Sequence, residues 1–181
     1  MNKRPYSILI IVLLLACASA QTAPAPQTPA SPAQTDPHDV DTIEHIVAAV
    51  YDVISGPPGP RNWDRFRSLY YPGARMIPTF RDGKGAIAAR VSTPDEYATR
   101  AGDYFSKNGF FENSIANRIE TWDHIAHVWS TYESRHAKDE KPFTRGINSF
   151  QLMNDGTRWW ILTVYWEGEE KGVTVPDKYL K

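Results

Sequence analysis

The sequence is poor in cysteine and has no excess of charge of either sign, and both shortages exclude classes of function. Cys17 is the single cysteine among 181 residues, so an internal disulfide, a cysteine-ligated zinc site and an iron–sulfur cluster are excluded. The 20 basic and 21 acidic residues leave a net charge of −1. A protein without a basic excess lacks the electrostatic attraction on which nucleic-acid binding depends, so no nucleic-acid partner is expected.

A hydrophobic run long enough to cross a bilayer is also missing. The run from Ile8 to Leu15 has eight residues, whereas a membrane-spanning helix needs roughly 20. The basic residues Lys3 and Arg4 precede this run and the small residues Ala18-Ser19-Ala20 follow it, which is the pattern of a secretory signal peptide. We therefore predict that residues 1–20 are a signal peptide and that the protein is exported, periplasmic or secreted, without a stable membrane span.

The same segment allows a second interpretation, in which the exported chain carries a lipid anchor. Leu14-Leu15-Ala16-Cys17 resembles a bacterial lipobox, and cleavage before Cys17 would leave that cysteine acylated at the membrane surface. Cleavage after Ala20 instead yields a mature chain without any cysteine. The soluble product is preferred because the Ala18-Ser19-Ala20 site is good, and the lipoprotein remains the alternative.

The composition of the chain changes sharply after residue 20. Residues 21–37 contain five prolines and no large apolar side chain, so they cannot bury enough surface to offset the entropy lost on ordering. We predict a disordered linker rich in Pro, Ala, Gln and Thr over residues 21–38. One folded domain over residues 39–171 and a C-terminal tail over residues 172–181 complete the predicted organisation.

Apolar residues at helical spacing predict three helices in the first part of the domain. The first has Asp39 or Asp41 as its N-cap, and its apolar stripe consists of Ile43, Ile46, Val47, Val50, Tyr51 and Ile54. A short second helix begins after Asn62, and a third is capped by Thr93 or Asp95. Gly- and Pro-rich segments separate the three helices.

From residue 110 onward the hydrophobic period changes from that of a helix to that of a strand. Four long strands are predicted: Phe110 to Trp122, Ile125 to Arg135, Phe143 to Met153 and Trp159 to Glu167. Asn154-Asp155-Gly156 is the turn of a hairpin between the last two, and a short extended segment, Ala74 to Phe80, comes earlier. Helices followed by a meandering antiparallel sheet indicate an α+β domain.

The order of these elements and several local patterns resemble a known superfamily. Asn62-Trp63-Asp64, Gly146 to Leu152 and Arg158 to Ile161 are similar to segments of nuclear-transport-factor-2-like (NTF2-like), or SnoaL-like, proteins, here an exported bacterial member. The resemblance covers residues 39–168 and implies a cone-shaped, curved antiparallel sheet wrapped around the N-terminal helix, with two further helices and a pocket at the open end. A cystatin-like domain without a pocket is the alternative for the same meander.

The resemblance extends to the ketosteroid isomerases, which use a carboxylate base, a tyrosine and a protonated acid. Carried across residue by residue, the tyrosine corresponds to Tyr51, which is otherwise an ordinary core residue with a locally satisfied hydroxyl. The position of the base falls at Ile77-Pro78, and that of the later acid at Asn148. Asparagine donates hydrogen bonds but cannot act as a tunable acid, so isomerase chemistry is doubtful and no catalytic residue is assigned.

Six residues are predicted to line the pocket of the cone: Tyr51, Trp63, Phe105, Asn148, Phe150 and Trp166. Tyr51 and Asn148 are the expected polar anchors, and no carboxylate is predicted at an inward-facing position. The expected ligand is therefore a small apolar or aromatic molecule. Two alternatives remain open: an acid–base enzyme of the SnoaL-like cyclase, isomerase or lyase type, and a dimeric interaction module with a filled pocket.

Other polar residues are given structural roles. His124 and His127 lie three residues apart on a strand, where their side chains point to opposite faces and cannot share an ion. Neither a metal site nor a cofactor is predicted. Arg145 is expected to form an ion pair with Glu133 or Glu167 on a neighbouring strand.

The last predicted strand is apolar on both faces, which suggests a partner chain. Alternation would place Trp160, Leu162, Val164 and Trp166 on one face and Trp159, Ile161, Thr163 and Tyr165 on the other. Three helices can cover only one face, so a homodimer through the outer sheet face is predicted. In the competing arrangement, the tail over residues 172–181 folds back over that face.

Overall fold

The structure, a computed structural model, describes residues 36–170 and 172–181. The signal peptide over residues 1–20, the anchor at Cys17 and most of the linker lie outside the described residues and stay predictions. Residues 37 and 38, which the prediction assigns to the linker, belong to a 3₁₀ helix, Pro37–Asp39. In the described part of the chain, no helix is long and apolar enough to span a membrane.

The three predicted helices are present. They are α1 Ile43–Ile54, α2 Trp63–Ser68 and α3 Pro94–Phe105. The N-cap of α1 is Thr42, whose Oγ1 accepts a hydrogen bond from His45 N at 3.1 Å, and not Asp39 or Asp41. The side chains of the two aspartates are engaged elsewhere, with Arg65 and His45 respectively.

Six strands form one sheet in the order β2-β1-β6-β5-β4-β3. The strands are β1 Tyr70–Arg81, β2 Ile87–Ala89, β3 Phe111–Trp122, β4 Ile125–Arg135, β5 Thr144–Asn154 and β6 Trp159–Gly168. Strands β3 to β6 form the predicted antiparallel meander, and the α+β fold class is confirmed.

The start of the sheet differs from the prediction. β1 pairs with β6 in parallel, so the sheet is mixed and not antiparallel throughout. β1 also begins at Tyr70 rather than at Ala74, and the short β2 was not predicted. Pro72 and Gly73 lie in an irregular stretch of β1, where the pairing with β6 is interrupted between Tyr70 and Arg75.

A β-bulge interrupts the alternation of β6. Gln151 of β5 pairs with Thr163, whereas Leu152, the next residue of β5, pairs with Ile161. Leu162 is therefore an extra residue without a partner in the ladder, and the side chains before and after it change faces.

This bulge overturns part of the predicted division of β6 into two faces. Ile161 and Val164 are both buried in the core, which strict alternation does not allow. Trp159 also packs against the core, so the prediction that Trp159 and Ile161 face outward is wrong. Tyr165 is 45% exposed on the outer face, as predicted.

The core lies on the concave face of the sheet, where α1 lies against β3 and β6. Its largest fully buried side chains include Ile46, Phe66, Leu69, Val128, Phe150, Leu152 and Ile161. Each such side chain contributes roughly 1.5–3 kcal/mol to folding by leaving water. The concave face is therefore where the helices, the sheet and any enclosed space meet.

The C-terminal tail lies along the outer face of the sheet. Thr131 Oγ1 donates a hydrogen bond to Tyr179 O at 2.5 Å, and the rings of Trp129 and Tyr179 are 5.9 Å apart. Nearer its start, the tail is held by the Val175 N–H, which donates to Glu169 Oε1 at 2.8 Å. A cavity of about 190 Å³ remains between the tail and the sheet. The tail thus occupies the place assigned to it in the arrangement that competes with dimerisation.

Candidate functional site

A cavity of about 110 Å³ lies inside the cone, between the helices and the concave face of the sheet. Most of its wall is apolar or aromatic, and it includes Phe66 of α2 and Met76 of β1. Four polar residues interrupt this wall: Tyr97, Glu112, Tyr132 and Asn148. An apolar space with a few convergent polar groups is the usual form of a small-molecule site.

Three of the six residues predicted to line the pocket lie on this wall, and two others lie beside it. Asn148, Phe150 and Trp166 line the cavity. Trp63 and Phe105 do not, because their rings stack on each other with centroids 6.1 Å apart in the contact between α2 and α3. The two helices contribute other side chains to the wall, Phe66 from α2 and Tyr97 from α3.

Tyr51, the sixth predicted residue, contacts Asn148 from behind the cavity wall. Asn148 Nδ2 donates to the Tyr51 hydroxyl oxygen at 3.0 Å, and the hydroxyls of Tyr51 and Ser130 are 2.7 Å apart. Burial raises the pKa of Tyr51, so the phenol keeps its proton. Asn148 thus lines the cavity, whereas Tyr51 orients its amide from behind the wall.

Glu112 places a carboxyl group on the cavity wall, although it is not among the six residues predicted to line the pocket. It stands near the start of β3, where it pairs with Ser134 of β4. Its backbone N–H donates to Ser55 Oγ at 2.9 Å, which fixes this end of β3 to the end of α1. The residue also borders an open groove between α1 and β3, so it lies between the enclosed cavity and the solvent.

Burial raises the pKa of the Glu112 carboxyl to about 7, because the charged form loses its hydration. Hydrogen bonds from Ser134 and Asn148 act in the opposite direction and are weaker. The Ser134 hydroxyl donates to Glu112 Oε2 at 2.6 Å. In the described part of the chain, Glu112 forms no ion pair. This carboxyl therefore takes up and releases a proton near neutral pH.

Two tyrosines add hydroxyl groups to the same space. Burial, and secondarily the charge of Glu112, raises the pKa of both Tyr97 and Tyr132, so both remain phenols. Neither hydroxyl makes a hydrogen bond to another described residue. A ligand in the cavity would therefore meet three kinds of polar group: an acid that titrates near pH 7, a side-chain amide and phenol donors.

The expectation that no carboxylate faces inward is wrong, and the sequence contained a weak signal against it. Phe110, which directly precedes β3, and Glu112 are two residues apart in extended backbone, so they share a face, and both line the cavity. An acidic residue two positions after an aromatic core residue, on the same face of a strand, is the pattern that would have predicted an inward-facing Glu112. No local pattern gives its titration range, which depends on neighbours distant in the sequence.

Comparisons with known proteins agree with this architecture at the level of the fold. No protein-family model matches the chain, and no curated protein sequence matches it. Among solved structures, a protein of unknown function from Nostoc punctiforme with a cystatin-like fold has a TM-score of 0.54 and 11% identity, over 70% of this chain and 88% of that chain. The chain has a cystatin-like, NTF2-like fold.

Two further structures share this fold but bear different functional names. A protein from Parabacteroides distasonis, provisionally named a ketosteroid isomerase, has a TM-score of 0.50 and 10% identity, over 74% of this chain and 97% of that chain. A protein from Thiobacillus denitrificans, provisionally named a calcium/calmodulin-dependent protein kinase II association domain, has a TM-score of 0.51 and 9% identity, over 72% and 97%. Structures with this fold thus bear unlike functional names, so the function of this chain has to be argued from its own site.

Proposed function

We propose that the protein binds a small, mainly apolar molecule inside the cone and that Glu112 holds the polar group of this ligand. The observation that carries the proposal is the buried carboxyl, with its pKa raised to about 7, on the wall of an aromatic cavity. Keeping an acid in such a place costs folding free energy, and perturbed acids of this kind concentrate at functional sites.

The size of the cavity limits the ligand. Its volume is about 110 Å³, whereas an engineered cavity of about 150 Å³ in another protein accommodates benzene and pockets for drug-sized molecules exceed roughly 300 Å³. A ligand the size of a small ring or a short branched chain is therefore expected. Its polar group is a carbonyl or a hydroxyl, since protonated Glu112 donates a hydrogen bond and Asn148 carries an amide beside it.

Acid–base catalysis is the second candidate function, and the pKa of Glu112 is the observation that favours it. A general acid or base is most effective when its pKa lies near the working pH. Ionised Glu112 would accept a proton from a carbon next to a ligand carbonyl and return the proton to another atom of the same molecule. The phenols of Tyr97 and Tyr132, which make no hydrogen bond to another described residue, would donate hydrogen bonds to the oxygen that gains charge.

Ligand binding is tested with a conservative change of the acid. Small cyclic ketones and alcohols are titrated into the protein while the tryptophan fluorescence is followed, to which Trp166 on the cavity wall contributes. Glu112→Gln is compared with Glu120→Gln, an exposed residue of the same strand. We expect saturable binding that the first variant weakens and the second leaves unchanged. Equal binding by both variants, or no binding by the wild type, would refute the proposal.

Catalysis is tested separately by hydrogen exchange in the ligand. Deuterium uptake from D₂O next to the carbonyl of a bound ketone is followed by mass spectrometry across the range from pH 5 to 9. Exchange that rises with a midpoint near the pKa of Glu112 and disappears in Glu112→Gln supports proton transfer. Binding without enzyme-dependent exchange would leave the binding function and reject catalysis.

We also propose, from the sequence alone, that the chain is exported as a soluble protein. The export signal over residues 1–20 and the proline-rich segment after it are the support for this proposal. N-terminal sequencing of the exported protein should begin at Gln21. A membrane-bound form with acylated Cys17 would replace this proposal by the lipoprotein alternative.

The homodimer through the outer face remains a proposal, and fewer apolar residues of β6 support it than the sequence pattern suggested. Trp159 packs against the core, Ile161 is buried in it, and the tail covers part of β4. The aromatic side chains left on and beside β6 are Tyr71 and Tyr165, which are exposed, and Trp160, which is half-buried against Tyr71. Sedimentation at micromolar concentration should show a dimer that Tyr165→Glu dissociates. A monomeric wild type would refute it.

A further inference from the structure

Two histidines and an aspartate meet where the chain enters α1. His38 lies in the 3₁₀ helix Pro37–Asp39, Asp41 follows that helix, and His45 lies in the first turn of α1. One nitrogen of each imidazole and one carboxylate oxygen lie within 4.8 Å of one another. The three residues have the i, i+3, i+7 spacing of one helix face, but the sequence assigns His38 to the linker, so this cluster is not among the predicted sites.

The distances within this cluster suit a shared ion. His38 Nδ1 lies 3.4 Å from Asp41 Oδ2, and His45 Nδ1 lies 2.6 Å from Asp41 Oδ1. The two imidazole rings are 4.1 Å apart between centroids and tilted by 54°. Zinc bonds of about 2.0–2.2 Å in a tetrahedron place two ligand atoms about 3.3–3.6 Å apart. Small side-chain rotations would bring the three donors to that spacing.

The backbone that carries the donors is fixed to the rest of the fold. Asp36 Oδ1 accepts a hydrogen bond from His38 N at 3.0 Å, and the buried Val40 accepts one from Trp159 N of β6 at 2.9 Å. Asp39 binds Arg65 of α2 through both carboxylate oxygens, at 2.7 and 2.9 Å. A turn held at several points positions its ligands before an ion arrives, which lowers the entropy lost on binding.

Solvent reaches the cluster from the outside. The side chains of His38, Asp41 and His45 are 74%, 50% and 40% exposed. Two imidazoles and one carboxylate with an open position are a donor set that zinc accepts, with water as the fourth ligand. Calcium and magnesium prefer sites made of oxygen atoms alone, so they fit this set less well.

We propose that His38, Asp41 and His45 bind one divalent transition-metal ion, zinc, on the surface of the domain, independently of the cavity inside the cone.

The experiment is a zinc titration of the full chain, purified without a histidine tag, in competition with a chromophoric chelator. We expect one zinc ion per chain with a dissociation constant in the micromolar range or below. His38→Ala, Asp41→Asn and His45→Gln should each weaken binding by about tenfold or more. The matched control is His124→Gln, because His124 is also exposed and lies 3.7 Å from Asp123. Among the described residues, no third metal-ligating side chain joins this pair.

Cobalt provides a readout that does not depend on stability. Four-coordinate cobalt gives intense visible absorption, which the wild type and His124→Gln should show and the three cluster variants should lose. His38→Ala changes a residue outside α1, so it remains informative if the other two variants disturb the helix. Zinc binding that is absent at millimolar zinc, or that His124→Gln weakens as much as the cluster variants do, would overturn the proposal.

Discussion

Glu112 and Glu133 are glutamates on neighbouring strands of one sheet, and their surroundings give them opposite properties. Glu112 faces the concave side and has a hydroxyl and an amide as partners, so burial raises its pKa to about 7. Glu133 faces the outer side, where only 8% of its surface is exposed. Hydrogen bonds and ion pairs with Arg145 and Arg135 hold the pKa of its carboxyl below the usual value.

The difference shows that the pKa of an enclosed acid depends on whether a cation lies beside it as well as on its burial. A carboxylate between two guanidinium groups is satisfied and holds strands together. A carboxyl without a cation stays ready to exchange its proton with a ligand or with water. Arg145 pairs with Glu133, one of its two expected partners, whereas the cone interior offers Glu112 no such partner among the described residues.

The largest expected effect concerns the pH dependence of Glu112. Its pKa is raised from 4.5 to about 7, so the folded state holds this proton more tightly than the unfolded chain does. The free energy of unfolding should therefore fall by about 2–3 kcal/mol as the pH rises through this interval. Urea unfolding at pH 5 and pH 8 measures this loss, and Glu112→Gln should remove it while Glu120→Gln retains it. A loss of equal size in Glu112→Gln would contradict the assignment.

The second prediction is an effect of opposite sign at Glu133. Glu133→Gln removes the charge that joins Arg135 and Arg145, so unfolding at pH 7 should become easier by about 2 kcal/mol. Because its folded pKa is depressed, the stabilisation by wild-type Glu133 exists above the unfolded pKa and is lost as the pH falls through the folded value. The deficit of the variant should therefore shrink in acid. Glu167→Gln, an exposed acid on β6, serves as the control and should change little.

A smaller loss of stability is expected when the tail, residues 172–181, is removed from the outer face of the sheet. Ending the chain at residue 171 removes the hydrogen bonds of the tail to Thr131 and Glu169, so stability should fall by about 1–2 kcal/mol. The shortened protein should also aggregate, since Trp129 and its neighbours become exposed. Light scattering during unfolding tests both statements. An unchanged, monodisperse protein would show that the tail does not stabilise the sheet.

The smallest expected effect is that of Tyr51→Phe on the concave side. The change removes the acceptor of the Asn148 amide and should lower stability by about 1 kcal/mol. It should also weaken ligand binding, because the amide is no longer oriented toward the cavity. If ligand titration gives the wild-type affinity despite reduced stability, Tyr51 is a core residue only.

The local features of the chain followed from its sequence because neighbouring residues decide them. Helical spacing located α1, Asn62 caps α2 as expected, and alternation located the four long strands almost to the residue. These patterns record which side chains can share a face within one element. The resemblance to NTF2-like proteins then supplied the cone, in which Tyr51 and Asn148 meet.

The remaining features depend on contacts between residues far apart, and only the tertiary structure decided them. The parallel pairing of β1 with β6, the bulge at Leu162 and the path of the tail arise from the fit between distant segments. Glu112 and Glu133 look alike in the sequence, and each stands in an alternating strand. Their opposite titration follows from which side of the sheet brings a guanidinium group within reach, and no pattern along a single strand contains that information.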